Sequence, residues 1–323
     1  MNKPLVSVIL AAYNRTQFLA EAIESVLNQS YPNIELIVVD DGSSVDLSKV
    51  LRDYSDRISL IRHFENRGLA AAINTGLQKA GGEFIDILSD DDGYAPDKIE
   101  KQMDVFEHHP EIDIVYTDYK WLLPDGKFTG HSAKKIAQLQ VKRQASDVYA
   151  ALLSGNFIDA ISPLVRRRCY EVAGNYNERL KNLEDWEMWL RLSAAGFTFY
   201  YLDEPLIYIR RHQDRKSLDP VRNKHQRLRV LYHVTAGKRG HVKLDTKMRT
   251  RAYANVFFDY AYAVYKQKDY SGYCHYMWWA LRLHPKRATF KAIRRLLKSI
   301  LKQSYCDRIK PCANNATRVK RRQ

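Results

Sequence analysis

The chain has 323 residues, 45% apolar and 28% charged, with 14 Gly and 10 Pro. That usage excludes a collagen-like, low-complexity or wholly disordered chain and has room for one large domain and a smaller one. The formal net charge is +15, of which residues 286–323, with 13 Lys and Arg against the single acid Asp307, supply +12.

The basicity is therefore local. Such a segment suits a nucleic acid or an anionic membrane surface, or is simply a solvated tail. In Ala288–Gln303, Phe290, Ile293, Leu296, Leu297, Ile300 and Leu301 recur at helical spacing between Lys and Arg, as in a helix that lies in a headgroup layer or covers the preceding helices. No apolar run approaches the roughly 18–20 residues that span a bilayer. The start, MNKPLVSVILAAYNR, reads as a strand and not as a signal peptide. Cys169, Cys274, Cys306 and Cys312 have no close metal-binding spacing and fit a reducing compartment. The expected location is cytoplasmic, with peripheral attachment to the inner face of a membrane through 287–323.

Residues 5–11 (LVSVILA) form a β-branched run of the kind buried in a parallel sheet. A helix is expected over 17–28, a second buried strand over 34–39 and a polar helix near 46–54. Then follow a strand at 58–62, a helix over 69–79 closed by Gly81-Gly82, a strand at 83–88, a helix over 97–108 and a strand at 112–118. This alternation predicts a mostly parallel α/β sheet with right-handed crossovers. Pro124-Asp125-Gly126 marks a turn where the alternation ends. Beyond it, helices are expected at 146–155 and 185–196 and strands at 161–165 and 197–202. From about 218 onward only helices are expected, at 221–236, 245–267, 271–283 and 287–303. The aromatics of 253–283, among them Tyr273, Trp278 and Trp279, read as helix-packing core.

Ligands of open parallel sheets bind beyond the carboxyl ends of the strands. Three strands here end in polar residues: Ala12-Tyr13-Asn14-Arg15, Asp40-Asp41, and Asp90-Asp91-Asp92. Each aspartate alone could be a helix cap or a turn residue. Together at one edge they repel one another unless a cation sits there, and Mg²⁺ or Mn²⁺ would leave positions for phosphate oxygens. No Gly-rich phosphate loop is present.

The segments VSVILAAYNR, YPNIELIVVDDGS, NRGLAAAINTGL, ILSDDDGYAPDKIEKQ and LEDWEMWLRL occur in this order between residue 5 and about 215. In this the chain resembles the family 2 inverting glycosyltransferases with the GT-A fold. The resemblance implies a glycosyltransferase domain over 1–218, with a nucleotide-binding half (1–118) and an acceptor half (119–218), followed by a helical basic region over 219–323. It implies a nucleotide-diphosphate sugar donor, with uridine as the expected nucleoside, a glycan or lipid-linked acceptor and a role in surface polysaccharide assembly, with no nucleic acid as partner. By resemblance, Tyr13 would flank the base, with Ala11 and Arg15 nearby. Asp41 would accept from the uracil N–H, and Asp40 would support the nucleoside. Asp90 would meet ribose or metal, and Asp91 and Asp92 would bind the metal. Asp185 would be the catalytic base beside Glu184 and Trp186, its carboxyl kept ionised by the helix N-terminus. Arg67, Asn74 and His212 complete the expected substrate contacts. Ser89 stands where the family usually has Asp, and Ile73 where it often has a basic residue, so the diphosphate would be met by Arg67 or by Arg210-Arg211-His212.

Overall fold

The computed structural model describes residues 3–131, 145–211, 224–236 and 246–287, with positions 295, 297, 299 and 300. His212 and most of the expected helix over 287–303 lie outside the described residues. The chain divides into two compact units, residues 1–216 with 236–243 in one and residues 217–235 with 244–323 in the other.

The first unit opens with β1 (Val6–Ala12), α1 (Leu19–Leu27), β2 (Ile34–Asp40), the short α2 (Ser48–Leu51), β3 (Ser59–Arg62), α3 (Leu69–Lys79) and β4 (Phe84–Ser89). These strands lie in the order β3-β2-β1-β4, all parallel. β1 is buried along its whole length, which is why its sequence shows no polar alternation. On one face Val8, Leu10, Val38 and Leu88 pack with Ile23 and Val26 of α1. On the other, α3 buries Ala70, Ala71, Ala72 and Ile73. Small residues let this helix approach closely: a Cβ on Gly76 would sit 2.3 Å from Ile9 Cγ2.

The sheet continues through β5 (Gly93–Tyr94), α4 (Lys98–His108), β6 (Ile114–Leu122), β7 (Phe128–His131), α5 (Ala145–Leu152), β8 (Leu164–Arg166), α6 (Arg167–Ala173), α7 (Glu184–Ala194) and β9 (Phe199–Arg210). The strand order extends as β4-β8-β6-β9-β5, with β7 on β6. The expected α/β class holds, with a mostly parallel sheet flanked by helices. The far half is mixed, however: β8 lies antiparallel between β4 and β6. β9 is longer than the expected 197–202. It runs parallel to β6 through register shifts around Asp118, then continues to Arg210 and pairs with β5. The final stretch of β9 thereby reaches the loop that carries Asp91 and Asp92.

Beneath that loop, β4 and α4 share a buried ion pair. Lys98 Nζ bonds Asp86, and both side chains are fully enclosed. The Tyr94 hydroxyl donates to Asp86 Oδ1 at 2.7 Å, and the Lys98 ammonium lies 4.1 Å from the Tyr94 ring centroid. Burial raises the Asp86 carboxyl and lowers the Lys98 ammonium, each opposed by the other's charge.

The second unit contains α8 (Lys224–Ala236), α9 (Thr246–Lys266) and α10 (Tyr270–Leu283). Lys268 adopts φ 64° in the turn between α9 and α10, and Asp269 caps α10 by accepting the Gly272 N–H at 2.8 Å. Ala261, Val264, Tyr273 and Met277 form its small core. No helix among the described residues is long and apolar enough to cross a membrane.

Replacing Lys98 by Met strands the Asp86 carboxylate in the core. The expected loss is about 3–5 kcal/mol of unfolding free energy in urea titrations, and D86L/K98M should recover part of it. Equal losses in the single and double variants would contradict a paired charge.

Candidate functional site

The strand register assembles the site. Ala12 pairs with Asp40, and Ala11 pairs with both Val39 and Ser89, so β1, β2 and β4 end level. The residues that follow them meet: the Tyr13 N–H donates to Asp90 Oδ2 at 2.8 Å, and the Asp41 N–H to the Ala12 carbonyl at 2.9 Å. Ala11 is a small wall residue, 8% exposed, whereas Tyr13 presents an exposed ring.

Arg15 bridges the acidic turn, 2.8 Å from Asp90 Oδ1 and 3.1 Å from Asp91 Oδ2. Burial pulls its guanidinium downward, but Asp91 and Asp90 lift it above its ordinary value. Asp90 is itself raised by burial, against the Tyr13 N–H and Arg15. Asp92 Oδ1 accepts the Arg210 N–H at 2.9 Å. The Arg210 guanidinium donates to the Asp91 carbonyl, pairs with Glu21 and lies 4.3 Å over the Phe18 ring. That ties Arg210 to the framework, whereas Arg211 is exposed and lies over Trp121.

The β2 aspartates shape the next loops. Asp40 accepts the Ser43 N–H at 2.9 Å and stands 3.4 Å from Arg62 Nε. Asp41 accepts the backbone N–H groups of Arg67 (2.9 Å) and Gly68 (2.8 Å) and contacts His63 Nδ1 at 2.7 Å. Gly42 between these loops has φ +69°, and a Cβ there would lie 2.3 Å from the Glu65 carbonyl carbon, so only glycine fits. Nothing in the sequence around His63 singled it out.

Asn74 ties this half to the loop leading into α7. Its amide donates to the Tyr176 carbonyl and Glu178 Oε1 and accepts the Tyr176 N–H, all within 2.9 Å. Arg67 Nη2 lies 3.5 Å from Glu178, with half of its side chain exposed. Asn74 thus holds protein segments together, while Arg67 retains a solvent-facing guanidinium.

Asp185 lies in the first turn of α7, partly exposed, after Leu183 in left-handed conformation. Asn156 Nδ2 donates to its Oδ2 at 2.8 Å. The carboxyl is pushed up to about 7 by burial and by the charge of Glu184, with Asp159 adding to the rise. The Trp186 N–H and Asn156 oppose this without reversing it. The expectation that the helix N-terminus keeps Asp185 strongly acidic is therefore corrected: desolvation and a like charge in the same turn outweigh the helix end. The charge of Asp185 is felt at Tyr176, the residue Asn74 grips, which links the acid to the α3 side of the sheet edge. Trp186 is 1% exposed and donates its indole N–H to the Leu152 carbonyl at 2.8 Å, so its side chain anchors α7 on α5. Asn156, twenty-nine residues before Asp185 and in a loop, gave no sequence signal.

Among the described residues, no three His, Cys, Asp or Glu stand together as a metal cluster. Asp90 faces Tyr13 and Arg15, and Asp92 turns one oxygen to β9. Asp91 offers carboxylate oxygens of the kind a hard divalent ion takes, with Arg15 3.1 Å from its Oδ2.

Residues 7–151 match the family described as Glycosyl transferase family 2. An uncharacterized glycosyltransferase of Rickettsia typhi is 32% identical over 71% of this chain and 70% of its own length. The EpsE protein of Bacillus subtilis is 33% identical over 65% of this chain and 74% of its own length. The chain spans 64% of the length of a similar Rickettsia prowazekii protein, and 31–38% of those from R. felis, R. bellii and R. conorii. Among solved structures, Staphylococcus aureus TarS 1–349 in complex with UDP-GlcNAc aligns with TM-score 0.66 at 15% identity, covering 94% of this chain and 92% of that one. The mannosyltransferase PcManGT of Pyrobaculum calidifontis, in complex with GDP-Man and Mn²⁺, aligns with TM-score 0.57 at 16% identity, covering 93% and 80%. These likenesses identify the fold as GT-A. With the matched region supplying the strands of the acidic edge, and two of these relatives aligned over 70% and 74% of their own length, the chain belongs to glycosyl transferase family 2.

Proposed function

We propose that the chain moves a sugar from a nucleotide-diphosphate sugar, UDP-linked in the first instance, to a hydroxyl of a glycan or lipid-linked acceptor, with inversion, in surface polysaccharide assembly. The carrying observation is Asp185: a partly exposed carboxyl, oriented by Asn156, whose pKa of about 7 suits proton abstraction near neutral pH. The fold's likeness to TarS bound to UDP-GlcNAc supports a UDP donor, and PcManGT makes GDP the second nucleotide to try.

In this reading the exposed Tyr13 ring stacks on the base, beside Ala11 and the loops shaped by Asp40 and Asp41. Asp90 fixes the Tyr13 backbone and Arg15 beside the ribose. The solvent-facing Arg67 guanidinium meets the diphosphate. Asp91 would hold Mg²⁺ or Mn²⁺, with Asp92 securing the same turn to β9. Bound there, the ion would stabilise negative charge on the departing diphosphate. Asp185 takes the acceptor hydroxyl proton as the new C–O bond forms at the anomeric carbon. The bond to the diphosphate breaks with its electron pair on the leaving oxygen. One displacement inverts the centre and needs one protein carboxyl for proton transfer, unlike hydrolysis by paired carboxyl groups. Glu184 raises the basicity of Asp185 from the same turn.

Asp185→Asn keeps shape and removes the base, so transfer should fall about 10²–10⁴-fold while UDP still raises the melting temperature. Undiminished transfer would sink the assignment.

Only the ionised carboxyl can accept a proton. kcat/KM should therefore climb with pH through about 7, reaching near pH 6 about a tenth of its plateau. Asn156→Ala deletes a hydrogen bond that favours the charged form, so this acid limb should move to higher pH. A limb unmoved by that change would show that Asn156 does not tune the base.

Calorimetry tests the metal role without turnover. UDP with Mn²⁺ should stabilise the native chain more than UDP alone, and Asp91→Asn should erase that increment. Retention of the full increment would remove Asp91 from the metal site.

A further inference from the structure

The exposed face of α10 carries none of the residues proposed for transfer. Tyr273, Met277 and Ala280 turn inward and are buried, as expected of helix-packing aromatics. Trp278 and Trp279 do not follow that expectation: they are 52% and 36% exposed. They belong to an exposed stripe of α10 made of Ser271, His275, Trp278, Trp279 and Arg282, at one-turn intervals, with exposed Lys286 in the short turn that follows the helix. The two indoles meet edge to face at 4.8 Å, and Trp279 leans on the Phe257 ring of α9. The Arg282 guanidinium lies over both, 5.0 Å from the centroid of Trp278 and 5.8 Å from that of Trp279.

The charge around this stripe has one sign. Residues 246–287 contain eight Lys and Arg and two acids, Asp259 and Asp269. Asp259 pairs with Arg227 of α8 at 3.1 Å, and Asp269 caps α10. Neither belongs to the stripe, which carries no carboxylate or carboxamide.

We propose that this face of α10 docks the protein peripherally on an anionic lipid bilayer. The indoles would enter at headgroup level, where amphipathic rings are favoured, and Arg282 and Lys286 would take lipid phosphates. Charge complementarity selects this occupant. A neutral glycan stacked on the indoles would need flanking carboxylates or amides for its hydroxyls, and the stripe has none.

The test uses the full chain with vesicles of phosphatidylcholine alone or with about one-third phosphatidylglycerol. The wild type should bind the anionic vesicles preferentially, and brominated lipid should quench its tryptophan emission. W278A/W279A should lower vesicle partitioning about tenfold and abolish the quenching. R282E, which keeps both indoles, should also weaken binding, by an amount that shrinks as salt rises. UDP binding should match the wild type in both variants, and R282E, whose side chain is exposed, should keep the wild-type melting temperature. Unchanged partitioning of either variant, absence of quenching, or equal binding to neutral vesicles overturns the proposal. So does a loss confined to soluble glycans or nucleic acid. Attachment through residues beyond 287 alone would leave both variants bound, and a wild type that fails to bind UDP would undo the donor reading while leaving this one standing.

Discussion

Buried carboxylates at the ends of parallel strands must find donors, and that constraint organises the site. Asp40, Asp41, Asp90, Asp91 and Asp92 are all at most 8% exposed. A buried charge without partners is too costly to persist, so each recruits N–H groups or a cation from a neighbouring segment. Asp41 recruits the β3–α3 loop, Asp90 the segment after β1, and Asp92 the far end of β9. The acidic edge therefore staples four segments before any ligand arrives. An aspartate replaced there changes the shape of the pocket as well as its charge, and an effect on donor binding cannot be assigned to a lost ligand contact alone.

Asp185, the proposed base, is coupled to this edge through Asn74, Trp186 and Asn156. Asn74 on α3 holds Tyr176 and Glu178, and the chain then runs directly into α7. From the other side Trp186 fastens α7 to α5, and Asn156 reaches the Asp185 carboxylate. The position of Asp185 thus depends on a buried amide (Asn74), an exposed one (Asn156) and a buried indole whose partners are distant in sequence.

That distance explains what was legible. β1, β2 and β4 could be read because strands covered on both faces are continuously apolar, and the aspartates because they follow such runs immediately. The second half of β9 could not: DEPLIYIR contains two acids and a proline, and its extension follows from pairing with β6 and β5. β5 has two residues and exists through that pairing. α6 begins on the residue after β8, with no turn signal to separate them. His63 and Asn156 sit in loops, where only the folded chain reveals what they touch. The tryptophans show the same limit in both directions. Trp186 looked like part of the site and is core, whereas Trp278 looked like core and is exposed. Helical periodicity identifies a face, but not what covers it.

Asp185 shows why a position in a helix does not settle a carboxyl's acidity. A helix N-terminus favours a negative charge by about 0.3–1 kcal/mol, less than the roughly 1.4 kcal/mol that moves a pKa by one. Burial of the carboxyl and the adjacent Glu184 act in the opposite direction and together exceed it, leaving the group near 7. The same first turn thus does two separable things. Its backbone N–H groups and Asn156 aim the carboxylate, and its acidic composition sets how readily that carboxylate takes a proton. Glu184, which reads in sequence as redundant capping, instead adds to the rise that burial causes in Asp185, a rise that a lone aspartate at a solvated helix end would lack.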